Sequence, residues 1–417
     1  MKKYKILIFT LLAIFCTANA QIIVSNPAGS EVHYDTYAGI TYLVVFDHIT
    51  AQSQIEYTGA GTTFEWYKFS NPAISISNQN YISPDGATGY SLKIDGAQEI
   101  TFWVIDYSQI MPQINNVTFN PNDANACEHV VLNFFGNIPP LRYQDKNGEI
   151  HNINRNVSVT YTTQSWGTDA WITADTTAVT VLNGNNSAQI PAPLVNTNFS
   201  ATISDPFAND LGITPATVQS VTYQAIAVKN KLITETTTRD AANEHQRPDN
   251  KNFLEGSAPL DIHFIGNPTA AVAHNQWTVF KENIFFFTRT AADFRYTFND
   301  YGQYKIVLVS SNQQCSYTDS VNVKINESAL EVPNVFTPNG DGINDEFRVA
   351  YRSLRSFQMA VYNRWGNKIF ETNDPQRGWN GKIGQRDAAA GPYFYYIKAT
   401  GTDGRKYVLK GDINLIR

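Results

Sequence analysis

The densest set of hard oxygen ligands in the chain is Asn339-Gly340-Asp341-Gly342-Ile343-Asn344-Asp345. Calcium takes six to eight such oxygens. The spacing departs from the EF-hand pattern, which wants Asp or Asn at the fifth position, where Ile343 stands. It is nearer to the short Asp-x-Asp-Gly loops of calcium-binding repeats. Asn339, Asp341, Asn344 and Asp345 are therefore calcium candidates, and a hydrogen-bonded turn is the other reading. No further cofactor is expected.

Covalent or acid–base chemistry needs a nucleophile beside a base, or paired carboxylates in a cleft. The chain holds no Gly-x-Ser-x-Gly and no His-Glu-x-x-His, and its histidines are scattered at 33, 48, 129, 151, 245, 263 and 274. Cys127-Glu128-His129 is the one tight grouping, and a core cysteine beside a surface histidine explains it. Trp166 and Trp171 flank Gly167 and are candidates for stacking on sugar rings, with core or rim packing as the other reading. Asp175-Thr176-Thr177 and Asp319-Ser320-Val321 have the form of short O-glycosylation motifs, although Asp319 to Val321 also fits a plain strand. No enzyme is expected.

The elements that must position these residues are strands. Thr, Asn, Tyr, Val and Ile are abundant, alternating apolar runs recur, and long helical periodicity is absent. An all-β chain of tandem immunoglobulin-like sandwiches is expected. Lys2, Lys3 and Lys5, the apolar run Ile6 to Phe15, and Ala18-Asn19-Ala20 have the layout of a secretory signal peptide over residues 1–20. Cleavage between Ala20 and Gln21 follows. Phe15 before Cys16 argues against a lipid-modified cysteine. No other stretch is apolar enough to span a bilayer, so no transmembrane segment is expected in the mature chain.

Formal net charge is −6, yet residues 332–417 hold 13 Lys and Arg against 8 Asp and Glu. The remainder is strongly acidic, which argues against nucleic acid as a partner. The shift marks a boundary near residue 331. Cys127 and Cys315 fall in different expected domains, so a bridge between them is not expected, and stability must come from hydrophobic cores.

Four units after the signal are expected. Residues 21–113 carry Thr41 to Phe46, Thr62 to Tyr67 and Ile100 to Ile105 as strands, with Trp66 as the core tryptophan. The turn before Gly89-Tyr90 resembles a tyrosine corner, in which a phenol bonds backbone across the bend. Residues 114–245 carry strands at His129 to Phe135, Val157 to Tyr161 and Val218 to Val228. The polar stretch Thr234 to Asn252 reads as an exposed connection or an edge strand. Residues 246–328 alternate at Leu260, Ile262, Phe264 and at Tyr304, Ile306, Leu308, which turns one face inward.

Gly256 to Phe264, Trp277, Tyr296-Thr297-Phe298, Tyr301 to Leu308 and Thr318 to Val323 make this third unit similar to a PKD domain. Gly302-x-Tyr304 is a second corner candidate. The family's acidic Gly-Asp-Gly turn is replaced by Val279-Phe280-Lys281-Glu282-Asn283.

Residues 329–417 carry five ordered motifs. Phe336-Thr337-Pro338-Asn339-Gly340-Asp341-Gly342-Ile343-Asn344-Asp345 comes first. Tyr362-Asn363-Arg364-Trp365-Gly366, Trp379-Asn380-Gly381 and Gly391-Pro392-Tyr393-Phe394-Tyr395 follow, and Lys410-Gly411 and Arg417 close the set. This order resembles the gliding motility-associated C-terminal domain, the type B sorting domain of the type IX secretion system of Bacteroidota. Asn380 stands where that family usually has aspartate. The resemblance implies delivery to the periplasm, recognition of the folded domain by the type IX translocon with a SprF-like outer-membrane protein, and a secreted or cell-surface destination. Arg364, Arg377, Arg386 and Arg417 are candidate charged contacts, and the other reading is that these motifs only build turns, with Trp365 and Trp379 packing the sheet ends.

The resulting expectation is a surface adhesin, binding or spacer protein with an unknown ligand, glycan or protein. A carbohydrate-binding module protein, or a secreted enzyme with an unrecognised site in residues 21–245, is the alternative.

Overall fold

The computed structural model describes residues 21–27, 32–182 and 186–417. The signal peptide and Ala20 lie outside the described residues. These form two compact units: one runs to Gln164 and includes Thr173–Ala225, and the other comprises Ser165–Ile172 and Ile226–Arg417. Strands make up nearly all the regular structure, as expected. Among the described residues no helix is long and apolar enough to cross a membrane.

In the first unit a six-stranded sheet runs Val32–Tyr37, Ile40–Phe46, Gln98–Asp106, Thr88–Ile94, Phe64–Lys68, Asn71–Ser77. Ile40–Phe46 and Gln98–Asp106 pair in parallel. A three-stranded sheet of Ile22–Ser25, Gln54–Tyr57 and Tyr81–Ile82 supplies Ile22, Ile55 and Ile82 to the same core, around Trp66. The run Leu43-Val44-Val45-Phe46 is apolar on both faces because both faces are covered. Val44 and Phe46 enter the sandwich core, while Leu43 and Val45 join Leu141, Tyr143, Phe207 and Leu211 in a second cluster. The first two sandwiches therefore share buried apolar surface.

The second sandwich sets Gln113–Phe119, His129–Asn137 and Ser187–Pro191 against a four-stranded sheet led by Arg155–Trp166. The expected strand from Val218 to Val228 shrinks to Thr217–Gln219, followed by an isolated bridge at Tyr223. Cys127 and Cys315 are each disulfide-bonded, which overturns the expectation of separate thiols and of a core cysteine at 127. Both lie outside strand interiors, Cys127 just before His129–Asn137 and Cys315 just before Ser316–Ile325, where alternation gives no guide to side-chain direction.

In the second unit a five-stranded sheet containing His274–Lys281 and Gly302–Ser311 covers a three-stranded sheet of Ile233–Thr236, Leu260–Ile265 and Asp293–Phe298. The anticipated alternation holds: Leu260, Ile262, Phe264, Tyr304, Ile306 and Leu308 all face the core around Trp277. Ile233–Thr236, from the polar stretch, pairs with Leu260–Ile265 at the end of its sheet. Further along that stretch Glu244 is buried and ion-paired with Arg239. Glu282 and Asn283 have φ of 51° and 64° and close a two-residue hairpin. This tight turn occupies the place of the Gly-Asp-Gly turn.

The carboxyl-terminal sandwich has a five-stranded sheet in the order Val335–Phe336, Lys406–Leu415, Gly391–Gly401, Leu354–Tyr362, Lys368–Thr372. Phe357, Met359 and Val361 point into its core, as their alternation requires. Within this unit Ser353 N–H donates to Ser257 Oγ (2.9 Å) and Ala258 N–H donates to Ser353 Oγ (3.1 Å), a buried reciprocal clasp to the preceding sandwich.

Candidate functional site

The motif residues of the last sandwich divide into those that build it and those that it displays. In the 339–345 loop the side chains are already engaged. Asp345 accepts from Gly340 N–H and Gly342 N–H, both at 2.7 Å. Asp341 accepts from Ile343 N–H (2.8 Å) and Asn339 Nδ2 (2.9 Å), and Asn339 Oδ1 accepts from Asp341 N–H (3.1 Å). The Ile343 amide, then Asn339, hold the Asp341 carboxyl below its ordinary value. Asn344 offers its carbonyl to Thr337 N–H (2.9 Å). This is the geometry of a self-satisfied turn.

Trp379 is buried against Phe336 and Tyr393 and donates its indole N–H to Lys382 O (2.9 Å). Gly381 has φ 72°, and a Cβ there would meet Pro338 Cγ at 2.9 Å. Its carbonyl accepts from Arg417 Nη2 (3.0 Å), while Arg417 Nη1 pairs with Asp387 (3.0 Å). Arg417 thus closes the sandwich. Tyr393 Oη donates to Ala389 O (2.8 Å), Tyr304 Oη donates to Asp300 O (2.9 Å), and Tyr90 Oη accepts from Asp85 N–H (2.7 Å). The two corners expected at Tyr90 and Tyr304 are formed, and Tyr393 adds one at Gly391-x-Tyr393.

The Asn363–Gly366 turn is different. Asn363 Oδ1 accepts from the N–H of Trp365 and of Asn367, both at 3.0 Å, and Gly366 takes φ 82°. With the backbone satisfied by Asn363, the Arg364 and Trp365 side chains project outward. Trp365 is 70% exposed, so of the two tryptophans expected to pack the sheet ends only Trp379 does, and the Arg364 guanidinium lies 4.2 Å from the Trp365 ring centroid. Phe394, Tyr396, Lys398, Val408 and Lys410 are exposed on strands of the same sheet. Arg386 is also exposed, and Arg377 lies over Phe370.

Trp166 and Trp171 meet edge to face at 5.4 Å, and Trp171 Nε1 donates to Asn267 O (2.8 Å). Edge-to-face rings share no flat surface for a sugar, so the pair fits the packing reading and not the stacking one. Thr176 and Ser320 of the two glycosylation motifs lie on strands. Asp319 Oδ2 is taken by Leu232 N–H (3.1 Å) and Asp175 Oδ1 by Thr162 Oγ1 (2.7 Å).

Sequence reading missed Asp145, Glu149 and His151, whose ligand atoms lie within 4.8 Å of one another. Asp145 Oδ1 accepts from Asn147 and Glu149 N–H, and Oδ2 sits 3.3 Å from His151 Nε2. The cluster folds its own turn. Also missed was the buried trio Arg155, Asp205 and Tyr107. Arg155 shares the inward register of Val157, Val159 and Tyr161. An arginine on a core face is the signal that a buried partner acid exists.

Residues 330–415 match the CHU_C type IX secretion signal domain, and residues 119–220 match a fibronectin type III domain. No curated protein matches the chain. Among solved structures, a tetra-tandem repeat from the extending region of a large adhesion protein is 12% identical, at TM-score 0.24, covering 90% of this chain and 98% of that one. The FN1–FN3 domains of chicken CNTN1 are 10% identical, at TM-score 0.23, covering 73% and 99%. A Ca2+-stabilized adhesin of an Antarctic bacterium that binds ice is 9% identical, at TM-score 0.21, covering 93% and 99%. Likenesses this loose carry no functional argument. The carboxyl-terminal domain is a type IX secretion signal carried on tandem β-sandwiches of immunoglobulin and fibronectin type III kind. The type IX machinery is accordingly a partner, and it takes the chain to the cell surface or beyond.

Proposed function

We propose that this chain is a non-catalytic surface or released protein. Its amino-terminal sandwiches bind a ligand or hold one at a distance, and its last sandwich is read by a SprF-like outer-membrane protein through the Arg364–Trp365 turn. The sequence division is a signal peptide over 1–20, sandwiches over 21–113 and 114–245, a PKD-like domain over 246–328 and the sorting domain over 329–417; we favour it with an earlier start for the PKD-like domain, because Ile233–Thr236 pairs with Leu260–Ile265.

One observation carries the reading. Nearly every motif residue of the secretion signal domain is spent on its own fold, whereas Arg364 and Trp365 are stacked and held out on a turn whose backbone Asn363 satisfies. Tryptophan and arginine are the residue types that dominate binding energy at protein interfaces. Tandem sandwiches joined to a secretion signal favour adhesion or display over catalysis.

The test is export in the native cell. Removing residues 332–417 should leave the protein in the periplasm. Normal appearance of the truncated protein in the medium would defeat the proposal.

A further inference from the structure

In the first unit a cleft of about 610 Å3 opens where the first two sandwiches meet, within the ~300–1,000 Å3 range of ligand pockets. Its walls include Trp103, Ile105, Pro139 and Pro140. The ribbon of Arg142–Gln144 and Ile150–Asn152 forms another side. Alternation places Arg142, Gln144 and Ile150 on one face, while Tyr143 and His151 stack together on the other at 4.7 Å. Ile150 is 57% exposed at this cleft.

One buried group ties a cleft residue of each sandwich together. Arg155 pairs with buried Asp205, which also accepts from Tyr107 Oη (2.8 Å). The remaining guanidinium donors reach Pro139 O (3.2 Å) and Ile110 O (2.5 Å), one carbonyl from each sandwich, and both residues line the cleft. The walls are therefore positioned before any ligand arrives.

One donor group at this cleft is exposed and unspent, and one wall residue buries an unsatisfied indole N–H. Trp66, Trp171, Trp277 and Trp379 each give their indole N–H to a backbone carbonyl. Trp103 Nε1 is buried with no acceptor. The exposed Arg142 guanidinium has no hydrogen bond or ion pair among the described residues. Asp106 uses Oδ1 on Ser108 and keeps Oδ2 as an acceptor.

We infer that this cleft binds an oligosaccharide bearing a single uronic acid. Flat proline and tryptophan surfaces suit the C–H face of a pyranose. Arg142 offers a planar fork to one carboxylate, and the free Asp106 Oδ2 suits a sugar hydroxyl. One arginine in an acidic setting matches an isolated or terminal uronate and opposes a dense polyanion. The inference rests on reading the amino-terminal sandwiches as a binding surface.

The test is calorimetric titration of the chain from Gln21 to Arg417 with aldotetraouronic acid (methylglucuronosyl xylotriose) and with neutral xylotetraose. The acidic sugar should bind at least tenfold tighter. Arg142→Gln should bring the two within about twofold at an unchanged melting temperature, and Trp103→Phe should weaken both at least threefold. Equal binding, no binding, a preference that survives Arg142→Gln, or tighter capture of a free-carboxylate tripeptide would each overturn the inference. Export of Arg142→Gln to the medium should match the parent, which separates failure here from failure of the export proposal.

Discussion

Tyr395 lies directly across the sheet from Gly411, and its ring covers the space a side chain there would fill. A Cβ on Gly411 would stand 2.7 Å from Tyr395 Oη and 3.0 Å from Cζ. The Lys-Gly motif near the end of the chain is thus the footprint of the Tyr-x-Tyr motif on the neighbouring strand. Gly411→Ala should cost about 1–3 kcal/mol by overpacking. Adding Tyr395→Ala should return part of that loss. Thermal melts of the two single variants and the double variant measure the coupling.

Trp365 and Trp379 should separate display from architecture. Trp365→Ala and Arg364→Ala should leave stability within about 0.5 kcal/mol, because both side chains face solvent. Each should slow appearance of the protein outside the cell several-fold. Trp379→Ala should cost about 3–5 kcal/mol through its cavity. Melting curves read alongside the periplasmic and external fractions distinguish the two effects.

Arg155→Met should destabilise the first unit by about 3–5 kcal/mol, since Asp205 would be left buried without its cation. Burial, with Asp205 next, pushes the Tyr107 phenol well above its usual range, so it stays a neutral donor and cannot replace the arginine's charge. Replacing Arg155 and Asp205 together with apolar residues should recover much of the loss. Chemical denaturation with both sandwiches present reads this directly.

Asp95 predicts an acid dependence. The amides of Thr62 and Thr63 and the Thr62 hydroxyl hold its carboxyl down from 3.8 to about 2. A depressed folded value stabilises above the unfolded value and is lost as pH falls through the folded one. Asp95→Asn should therefore lower the melting temperature at pH 7, and the gap to the parent should shrink from about pH 4 and close near pH 2. A gap independent of pH would contradict this reading.

Because the 339–345 carboxylates already hold backbone amides, millimolar calcium should leave the melting temperature unchanged. Asp345→Ala should lower stability by about 1–2 kcal/mol through two lost charge-assisted bonds. A calcium-dependent rise abolished by Asp341→Ala would instead favour the metal.

The sequence by itself determined the strands, the inward faces of Leu260, Ile262 and Phe264, the corners at Tyr90 and Tyr304, and the motif order of the secretion signal. Each of these is local, because a period of two assigns a side chain to a face wherever the strand goes. Only the tertiary structure decided that both faces of Leu43 to Phe46 are covered, that Trp379 is buried while Trp365 is displayed, and that Arg155 ties Ile110 to Pro139. Those outcomes depend on which distant strand or loop arrives opposite a residue, and burial, ion pairing and clefts arise from that arrival.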